Sequence, residues 1–277
     1  MNYTPSNVDR NVSSLEIPRF LGLRNMAGSL AVSNVFATFQ GEMPFAGRPA
    51  VFVRLAGCNR GAKIDCPFCD TEFSLHNAQV MTPGMLVNEV LSKHMEHNTE
   101  DLLVVISGGE PTLQTEGLKL FCEELIAVTE GITHLDVQFE TNGDYLDKLV
   151  DFTARDVFTV VVSPKANKRT GYNEKIGDEC RELMSDETFV RCVVSADPED
   201  PYHQIPDWVK EIPPSEVFLS PITVYNQPVD HTKVVDFWGG DLIDRERTGA
   251  NYAHARQLAM KHSFGLSMQT HLLFNLE

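Results

Sequence analysis

Short runs of β-branched and apolar residues alternate with segments of helical periodicity along most of this chain. The strand-like runs lie at 31–37, 50–57, 102–107, 135–140, 157–163, 188–194, 216–220 and 265–269. Strands separated by helices imply crossover connections and a mostly parallel sheet. The sequence therefore predicts an α/β fold.

Two of the intervening helices can be placed from local signals. One is expected to begin at Thr82-Pro83, because threonine suits the N-cap position and proline the first helical position. The other has apolar residues at helical spacing, namely Leu118, Phe121, Leu125 and Val128, which predicts one buried face. Cys122 is adjacent to that face, and we interpret it as a structural residue.

Four polar or glycine-bearing motifs follow strands of the predicted sheet. They are Cys58, Gly108-Gly109-Glu110, Thr141-Asn142-Gly143 and Pro164-Lys165. In parallel barrels the chemistry gathers where strands end and loops begin. The four motifs are therefore expected to share one site.

The domain organisation is predicted from shifts in composition. Residues 1–28 are polar and lack sustained periodicity, so we expect a loosely ordered extension, followed by one domain over 29–277. Within that domain the stretch 226–250 is interpreted as an irregular insertion, because its charges and glycines break any long period.

Composition narrows the classes of function. The formal net charge of −16, from 39 acidic and 23 basic side chains, argues against direct nucleic-acid binding. No run of about 18 apolar residues is present, which argues against a membrane span. The polar N-terminus does not resemble a secretory signal, so a cytoplasmic location is expected.

Three of the six cysteines, Cys58, Cys66 and Cys69, lie within twelve residues, whereas the other three are isolated in apolar stretches. Clustering suggests a metal site, and isolation suggests packing. Three thiolates can bind three irons of a cubane and leave the fourth iron open, but a zinc site with Asp65, Asp70 or His76 as a further ligand is equally compatible with these residues.

An ordered set of motifs extends beyond the cysteines. It comprises F36-A-T-F-Q40-G-E42, G47-R-P-A-V-F-V-R54-L-A-G-C58, C66-P-F-C69-D-T71, V105-I-S107-G-G-E110-P, F139-E140-T-N-G143, V162-S163-P-K165 and L266-S-M-Q269-T-H271. This set resembles the 7-carboxy-7-deazaguanine synthases, a family of radical S-adenosylmethionine (SAM) enzymes. The resemblance covers residues 31–277 apart from the insertion, and it implies a partial, modified (β/α) barrel.

The resemblance also implies a role for individual residues. Cys58, Cys66 and Cys69 would ligate a 4Fe–4S cluster, and Thr71 would ligate Mg²⁺. The residues implied to bind SAM are Phe68, Asp70, Gly109, Glu110, Ser163, Pro164, Lys165, Ser220, Pro221, Ile222 and Thr223. Those implied to bind substrate are Phe39, Gln40, Gly41, Glu42, Arg54, Ser107, Glu140, His271 and Glu277. No residue is assigned a proton-transfer role.

The activity implied is conversion of 6-carboxy-5,6,7,8-tetrahydropterin into 7-carboxy-7-deazaguanine with loss of ammonia. The implied partners are the small pterin substrate and an electron donor such as flavodoxin or ferredoxin, and the family suggests a homodimer. Within this assignment Arg54 offers a planar fork for the substrate carboxylate. Gln40 and Glu140 can bind the donor and acceptor groups of a pterin edge.

Three positions depart from the family pattern. Seven residues separate Cys58 from Cys66 where most radical SAM proteins have three, Ser107 stands where threonine is expected, and Leu272 follows the QTH motif where lysine is common.

Two rival functions remain at this point. One is an activase that installs a glycyl radical on a partner protein, although the QGE motif, Arg54 and the terminal QTH motif favour a small pterin. The other is a zinc-stapled binding module without turnover.

The C-terminal tail carries Leu272, Leu273 and Phe274 in succession. Exposing three such side chains gains nothing, so the tail is expected to dock on the domain. It would then either close the pocket or seal the barrel bottom.

Overall fold

A nine-stranded sheet forms the frame of the molecule. The computed structural model describes residues 28–60, 66, 68–69, 71, 74–97, 100–153, 155–167, 171–183, 187–226 and 242–273. Its strands are β1 (Leu30–Phe39), β2 (Pro49–Leu55), β3 (Gln79–Met81), β4 (Leu102–Gly108), β5 (Leu135–Thr141), β6 (Phe158–Val162), β7 (Thr188–Val194), β8 (Val217–Pro221) and β9 (Gly265–Leu266).

The strand order is β3-β1-β2-β4-β5-β6-β7-β8-β9. From β2 to β9 every neighbouring pair is parallel, whereas β1 is antiparallel to both β2 and β3. This mixed, largely parallel sheet is consistent with the partial barrel expected from the sequence. The carboxyl ends of β2 and β4 to β8 lie along one edge, which brings their following loops together.

The helices are α1 (Pro83–His97), α2 (Thr115–Thr129), α3 (Val150–Thr153), α4 (Lys175–Leu183), α5 (Arg245–His262) and α6 (Thr270–Leu273). The Thr82 hydroxyl accepts a hydrogen bond of 3.3 Å from the Met85 amide, as expected for the residue before the helix. On α2 the predicted face is buried except for Val128, which is 40% exposed, and Cys122 is buried beside it.

The two faces of the sheet differ in chemistry. One face and the helices form the main hydrophobic core, to which β5 contributes Leu135, Val137 and Phe139. Because side chains alternate along a strand, Gln138 and Glu140 lie on the other, inner face. The inner face also has an apolar cluster near the strand beginnings, with Ala50, Leu103, Val105, Phe45 and Phe52. Its polar residues therefore lie towards the strand ends.

All eight strands predicted from sequence are present, with boundaries that differ by a few residues. The short β3 was not predicted, and the last strand ends at Leu266, so that residues 270–273 form a helix instead of an extended tail. Helix α5 begins at Arg245 and therefore includes the end of the stretch interpreted as an irregular insertion. The extension 1–27 and most of that stretch, 227–241, lie outside the described residues.

Every helix in the described part of the chain is too short or too polar to span a lipid bilayer.

Candidate active site

The three clustered cysteines approach one another beyond the end of β2. All six cysteines of the chain are free thiols, and Cys58 and Cys66 are partly buried whereas Cys69 is exposed. Burial, together with the nearby charges of Glu110, Cys66 and Cys69, raises the pKa of the Cys58 thiol to about 12. Cys66 and Cys69 are joined by a backbone hydrogen bond of 3.0 Å that closes a turn. A bound metal group would be needed to keep Cys58 as a thiolate at neutral pH.

The segment after Cys58 is attached to the loops that follow β5 and β6. The Arg60 guanidinium forms a two-point contact with Asp144, at 2.7 and 2.5 Å, and its third nitrogen donates to the Lys165 carbonyl at 2.9 Å. Asn59 donates to the same carboxylate at 2.7 Å and accepts from Asn142 at 2.8 Å. The first part of the seven-residue spacer is therefore held by well-ordered polar contacts.

Two glycines at the end of β4 allow this segment to lie close to the sheet. A Cβ on Gly109 would stand 1.7 Å from the Gly57 carbonyl oxygen, and a Cβ on Gly108 would stand 2.3 Å from the Leu55 oxygen. The Glu110 amide also donates to the Gly57 carbonyl at 2.8 Å. Gly109 is implied by the resemblance to bind SAM, and in the structure its missing side chain allows the backbone leading into Cys58 to approach closely.

Glu110 is a buried carboxylate that joins the ends of β4 and β5. Its oxygens accept four hydrogen bonds: two from Thr112, one from the Thr141 hydroxyl at 2.7 Å and one from the Asn142 amide at 2.8 Å. Burial raises the pKa of this carboxyl despite these donors. The contacts of Glu110 shape the loops around the expected SAM site.

Lys165 lies partly buried after β6, beside the cysteine loop. Its ammonium donates to the Ser163 hydroxyl at 2.5 Å. Burial lowers the pKa of Lys165, and the nearby Cys66 opposes that effect. Phe68 lies edge-on to the Tyr202 ring, with 5.0 Å between centroids. These contacts place Phe68, Ser163 and Lys165 along one edge of the sheet.

Glu140 is the centre of a polar network on the inner face. Its carboxylate accepts hydrogen bonds from Gln40 at 3.2 Å, Ser107 at 3.2 Å, Gln138 at 3.0 Å and Arg191 at 3.4 Å. Burial alone would raise the pKa of Glu140, but Arg191 and the hydrogen bonds outweigh it and lower that pKa. Glu140 is therefore an ionised acceptor at neutral pH.

Glu42 joins this network from the loop that follows β1. One of its carboxylate oxygens lies 2.6 Å from Arg191, and the other accepts from the Ser220 hydroxyl at 2.9 Å. The Glu42 amide donates to the Gln40 side chain at 3.1 Å. Gln40 and Glu42 thus cross the inner face and meet strands β5, β7 and β8.

The C-terminal segment packs against the same loop. Both the amide and the hydroxyl of Thr270 donate to the Gly41 carbonyl, at 3.0 and 2.9 Å. Leu272 is buried, and the Thr223 hydroxyl donates to the Gln269 side chain at 2.5 Å. The tail was expected to dock on the domain, and the burial of Leu272 agrees with that expectation.

Arg54 and Ser107 lie opposite each other in the β2–β4 register, so Arg54 is next to the Glu140 network. Its guanidinium lies over the Phe36 ring, 4.9 Å from the centroid, and makes no ion pair with any residue that the structure describes. Such a cation is free to bind an anionic group.

Other expected site residues lie apart or cannot be placed. Phe39 is 44% exposed and borders a groove with Pro49 and Lys93, away from the Glu140 network. Thr71 is partly exposed two residues after Cys69, Pro221 ends β8, and Ile222 donates its amide to the Val194 carbonyl at 3.0 Å. Asp70, Glu277 and the His271 side chain lie outside the described residues.

Sequence reasoning missed Arg191 and Gln138. Arg191 is the one charged residue of the strand TFVRCVV, whereas Gln138 lies in LDVQFE, where polar and apolar residues alternate. The same signal identified Arg54 in AVFVRLAG. Applied to every strand, it would also have found Arg191.

A partial barrel with cysteines, glycines and buried polar groups at its strand ends defines a class of enzyme. The family model described as the radical SAM superfamily matches residues 53–193, from β2 into β7. The chain therefore belongs to the radical SAM superfamily, whose members hold a 4Fe–4S cluster and SAM.

Relatives define the family more narrowly. A 7-carboxy-7-deazaguanine synthase from Rickettsia prowazekii is 33% identical over 252 residues, which cover 90% of this chain and 89% of the relative. One from Hyperthermus butylicus is 43% identical over 142 residues, 49% of this chain and 52% of the relative. Within the superfamily, the chain belongs to the 7-carboxy-7-deazaguanine synthase family. The crystal structure of QueE from Escherichia coli, at 20% identity and a TM-score of 0.54, covers 91% of this chain and 97% of that one and supports the fold.

The residues at the strand ends fit the cofactors of this superfamily. Three free thiols near one another match the donors of an iron–sulfur cubane with one open iron. Within the described ranges, no three Cys, His, Asp or Glu side chains are grouped closely enough to hold a metal ion, so the geometry alone favours neither the cubane nor zinc. Superfamily membership decides between the two metals, and the zinc-stapled module is set aside.

Proposed function

We propose that this chain converts 6-carboxy-5,6,7,8-tetrahydropterin into 7-carboxy-7-deazaguanine with loss of ammonia, as a radical SAM carbon–nitrogen lyase. The observation that carries the proposal is the buried network of Gln40, Glu42, Glu140 and Arg191, with Arg54 beside it, on the inner face of the sheet. The names of the relatives supply the product, and the precursor is the pterin that the resemblance implies.

The network suits the pyrimidine edge of a pterin. That edge carries neighbouring N–H donors and a carbonyl acceptor, and the ionised Glu140 carboxylate supplies a strong acceptor for the donors. Gln40 has both a donor and an acceptor, so it can bind the adjacent group. A buried site of this kind rejects ligands that leave its polar atoms unpaired.

Arg54 is the proposed partner of the substrate carboxylate. Its guanidinium stacks on Phe36 and is not neutralised by an acid in the described part of the chain. A planar guanidinium can bind a carboxylate through two parallel hydrogen bonds. The substrate would then lie between Arg54 and Glu140, which fixes its orientation on the inner face.

The cluster would be held by Cys58, Cys66 and Cys69, and SAM by the loops after β4, β6 and β8. When bound, these groups supply the one-electron chemistry that begins with removal of a hydrogen atom from the substrate. The chain itself orients the substrate and excludes water. The apolar residues at the strand beginnings, including Leu103 and Val105, support the second task because they fill the inner face beneath the polar network.

Further elements of the proposal follow the family resemblance. Thr71 would offer a neutral hydroxyl to Mg²⁺, an ion that prefers oxygen ligands. The electron donor would be a flavodoxin or a ferredoxin, and the enzyme would act as a cytoplasmic homodimer. The product equals the substrate less one ammonia, so the overall reaction is redox-neutral and SAM can be used catalytically.

An anaerobic assay tests the proposal. The reconstituted protein is incubated with SAM, dithionite and the carboxytetrahydropterin, with and without Mg²⁺, and the products are identified by mass spectrometry. We expect 7-carboxy-7-deazaguanine in excess of the SAM consumed, and more of it with Mg²⁺. Cleavage of SAM without any deazaguanine product, in a protein with a full cluster, would overturn the assigned substrate.

A further inference from the structure

Arg191 is the residue that joins the two carboxylates of the inner-face network. It lies on β7, between β6 and β8 in the sheet, and its side chain is 10% exposed. One guanidinium nitrogen lies 2.6 Å from Glu42 and 3.4 Å from Glu140, and a second lies 3.4 Å from the other Glu140 oxygen. Neither the resemblance nor the relatives assign it a role.

The two carboxylates come from distant parts of the chain. Glu42 belongs to the loop after β1, whereas Glu140 is near the end of β5, and both side chains are 15% exposed. Two such carboxylates brought together without a cation repel each other strongly, since the low dielectric of a buried site screens little. Arg191 supplies the opposite charge from a third element.

We infer that Arg191 is a positioning residue of the proposed pterin site, which holds Glu42 and Glu140 at a set separation so that both ionised carboxylates stay on the inner face where the substrate would bind. The inference rests on the proposed function and deepens it. Two guanidinium nitrogens contact the two oxygens of Glu140, and one of them also contacts Glu42. A lysine ammonium has only one nitrogen and cannot reproduce this planar fork.

The electrostatics of Glu140 agree with the geometric argument. Burial would raise the pKa of Glu140, and the Arg191 charge is the largest influence that lowers it. Without Arg191, Glu140 would lose part of its acceptor strength at neutral pH. The same loss would release Glu42, leaving the Ser220 hydroxyl as the only other side chain that the structure shows bonded to the Glu42 carboxylate.

A matched control is available on the same face of β5. Arg48 contacts Asp136 at 2.7 Å, four residues nearer the start of the strand than Glu140, with side chains 34% and 18% exposed. Arg48→Met therefore removes an arginine–carboxylate pair from β5 and leaves the side chains of the network in place, since Arg48 contacts Gln40 only through its backbone carbonyl. Arg191→Met removes the contact with Glu42 and Glu140, and Arg191→Lys weakens it.

The experiment measures KM and kcat for the carboxytetrahydropterin, the 5′-deoxyadenosine formed per deazaguanine product, iron content and thermal stability in all four proteins. For Arg191→Met we expect KM to rise roughly tenfold or more, because one charge-assisted hydrogen-bond site is lost. The ratio of 5′-deoxyadenosine to product should also rise, because a loosely held substrate lets SAM be cleaved without product. Iron content should stay at the wild-type level, and Arg191→Lys should fall between wild type and Arg191→Met.

The outcomes separate the two claims. A wild-type enzyme without pterin turnover overturns the proposed function, and this inference with it. An active wild type whose Arg191→Met variant has the KM and product ratio of Arg48→Met overturns the inference alone, and leaves Arg191 as a structural ion pair. If Arg191→Met does not fold, Arg191→Lys decides: an unchanged KM and product ratio in a folded Arg191→Lys protein also overturn the inference.

Discussion

Glu140 shows how a buried charge is made tolerable at the scale of one residue. A carboxylate removed from water costs several kcal/mol unless hydrogen bonds and an opposite charge replace its hydration. Gln40, Ser107 and Gln138 provide the hydrogen bonds, and Arg191 provides the charge. The arrangement keeps an anion on the inner face of the sheet, which is typical of a functional site.

The lowered pKa of Glu140 gives a pH-dependent prediction. Because its folded-state pKa lies below its unfolded value, Glu140 stabilises the protein above that unfolded value, and the contribution is lost as pH falls through the folded pKa. We expect Glu140→Gln to lower the free energy of unfolding by about 1–3 kcal/mol at pH 7, and by less in acid. Urea unfolding at pH 7 and pH 4 measures both differences. A cost that is equal at the two values would contradict the ionised state.

The cysteines give the second prediction at this scale. Ala in place of Cys58, Cys66 or Cys69 should abolish stable binding of a full cluster, because a cubane with an open iron needs all three thiolates. Cys122→Ala is the control, since that thiol is buried on α2 within the main core. Iron and sulfide counts after anaerobic reconstitution check the result. A complete cluster in Cys58→Ala would refute the ligand assignment.

Single residues also show what sequence reasoning could and could not reach. Arg54 and Glu140 could be selected because motifs surround them, whereas Arg191 stands in a strand with no motif. Its partners Glu42 and Glu140 are brought to it only by the tertiary fold. A charged residue in an apolar strand predicts a buried polar partner, but it does not identify that partner.

At the scale of the secondary-structure elements, the loop that carries Cys58 is held by the end of β4. Leu55 and Gly57 accept hydrogen bonds from the amides of Gly109 and Glu110, at 2.9 and 2.8 Å. The contact requires that position 109 has no side chain. The position of the first cysteine is thereby coupled to the sheet through backbone atoms alone.

Gly109→Ala should disturb this coupling. The added Cβ would overlap the Gly57 carbonyl, so the loop must move, and we expect a loss of about 2–4 kcal/mol in stability together with reduced iron content. Gly249→Ala is the matched control, because its added Cβ meets nothing within 4 Å. Located on α5, it should be neutral or stabilise by up to about 1 kcal/mol. Equal iron content and melting temperature in the two variants would contradict the coupling.

The elements themselves were largely predictable. Strand β4 is an apolar run and β5 alternates apolar with polar residues, so composition, alternation and length identify them. The short β3 was missed because three residues are too few to show a strand-like alternation of apolar and polar residues. Its pairing with β1 defines it as a strand. The last strand was predicted too long because GLSMQ has strand-like composition, although only Gly265 and Leu266 pair with β8.

At the scale of the whole molecule, the C-terminal segment returns to the loop that carries Gln40 and Glu42. Thr270 is hydrogen-bonded to Gly41, and Leu272, two residues later, is buried. The segment therefore packs against the loop that follows β1. A contact of this kind places the segment beside the loop that carries two of the network residues. It depends on residues more than two hundred positions apart, which no local pattern can predict.

Deleting residues 272–277 tests whether this segment closes the pocket. We expect the cluster and SAM binding to remain, pterin affinity to fall, and more 5′-deoxyadenosine to form per deazaguanine product, since water and reductant would enter the site. Met268→Ala is a control in the same region, because that side chain is 42% exposed. An unchanged ratio and unchanged affinity in the truncated enzyme would make the tail purely structural.

The central claim is that the inner-face network selects the pterin while the strand-end thiols hold the cofactors. It is tested most directly by measuring deazaguanine formed and SAM cleaved, in one anaerobic assay, for the wild type and for Glu140→Gln with matched iron content. The account predicts deazaguanine from the wild type, and from Glu140→Gln continued SAM cleavage with at least about tenfold less deazaguanine, because an anionic acceptor has been lost from the pterin site. Equal deazaguanine formation by the two proteins, or none by the wild type, would contradict it.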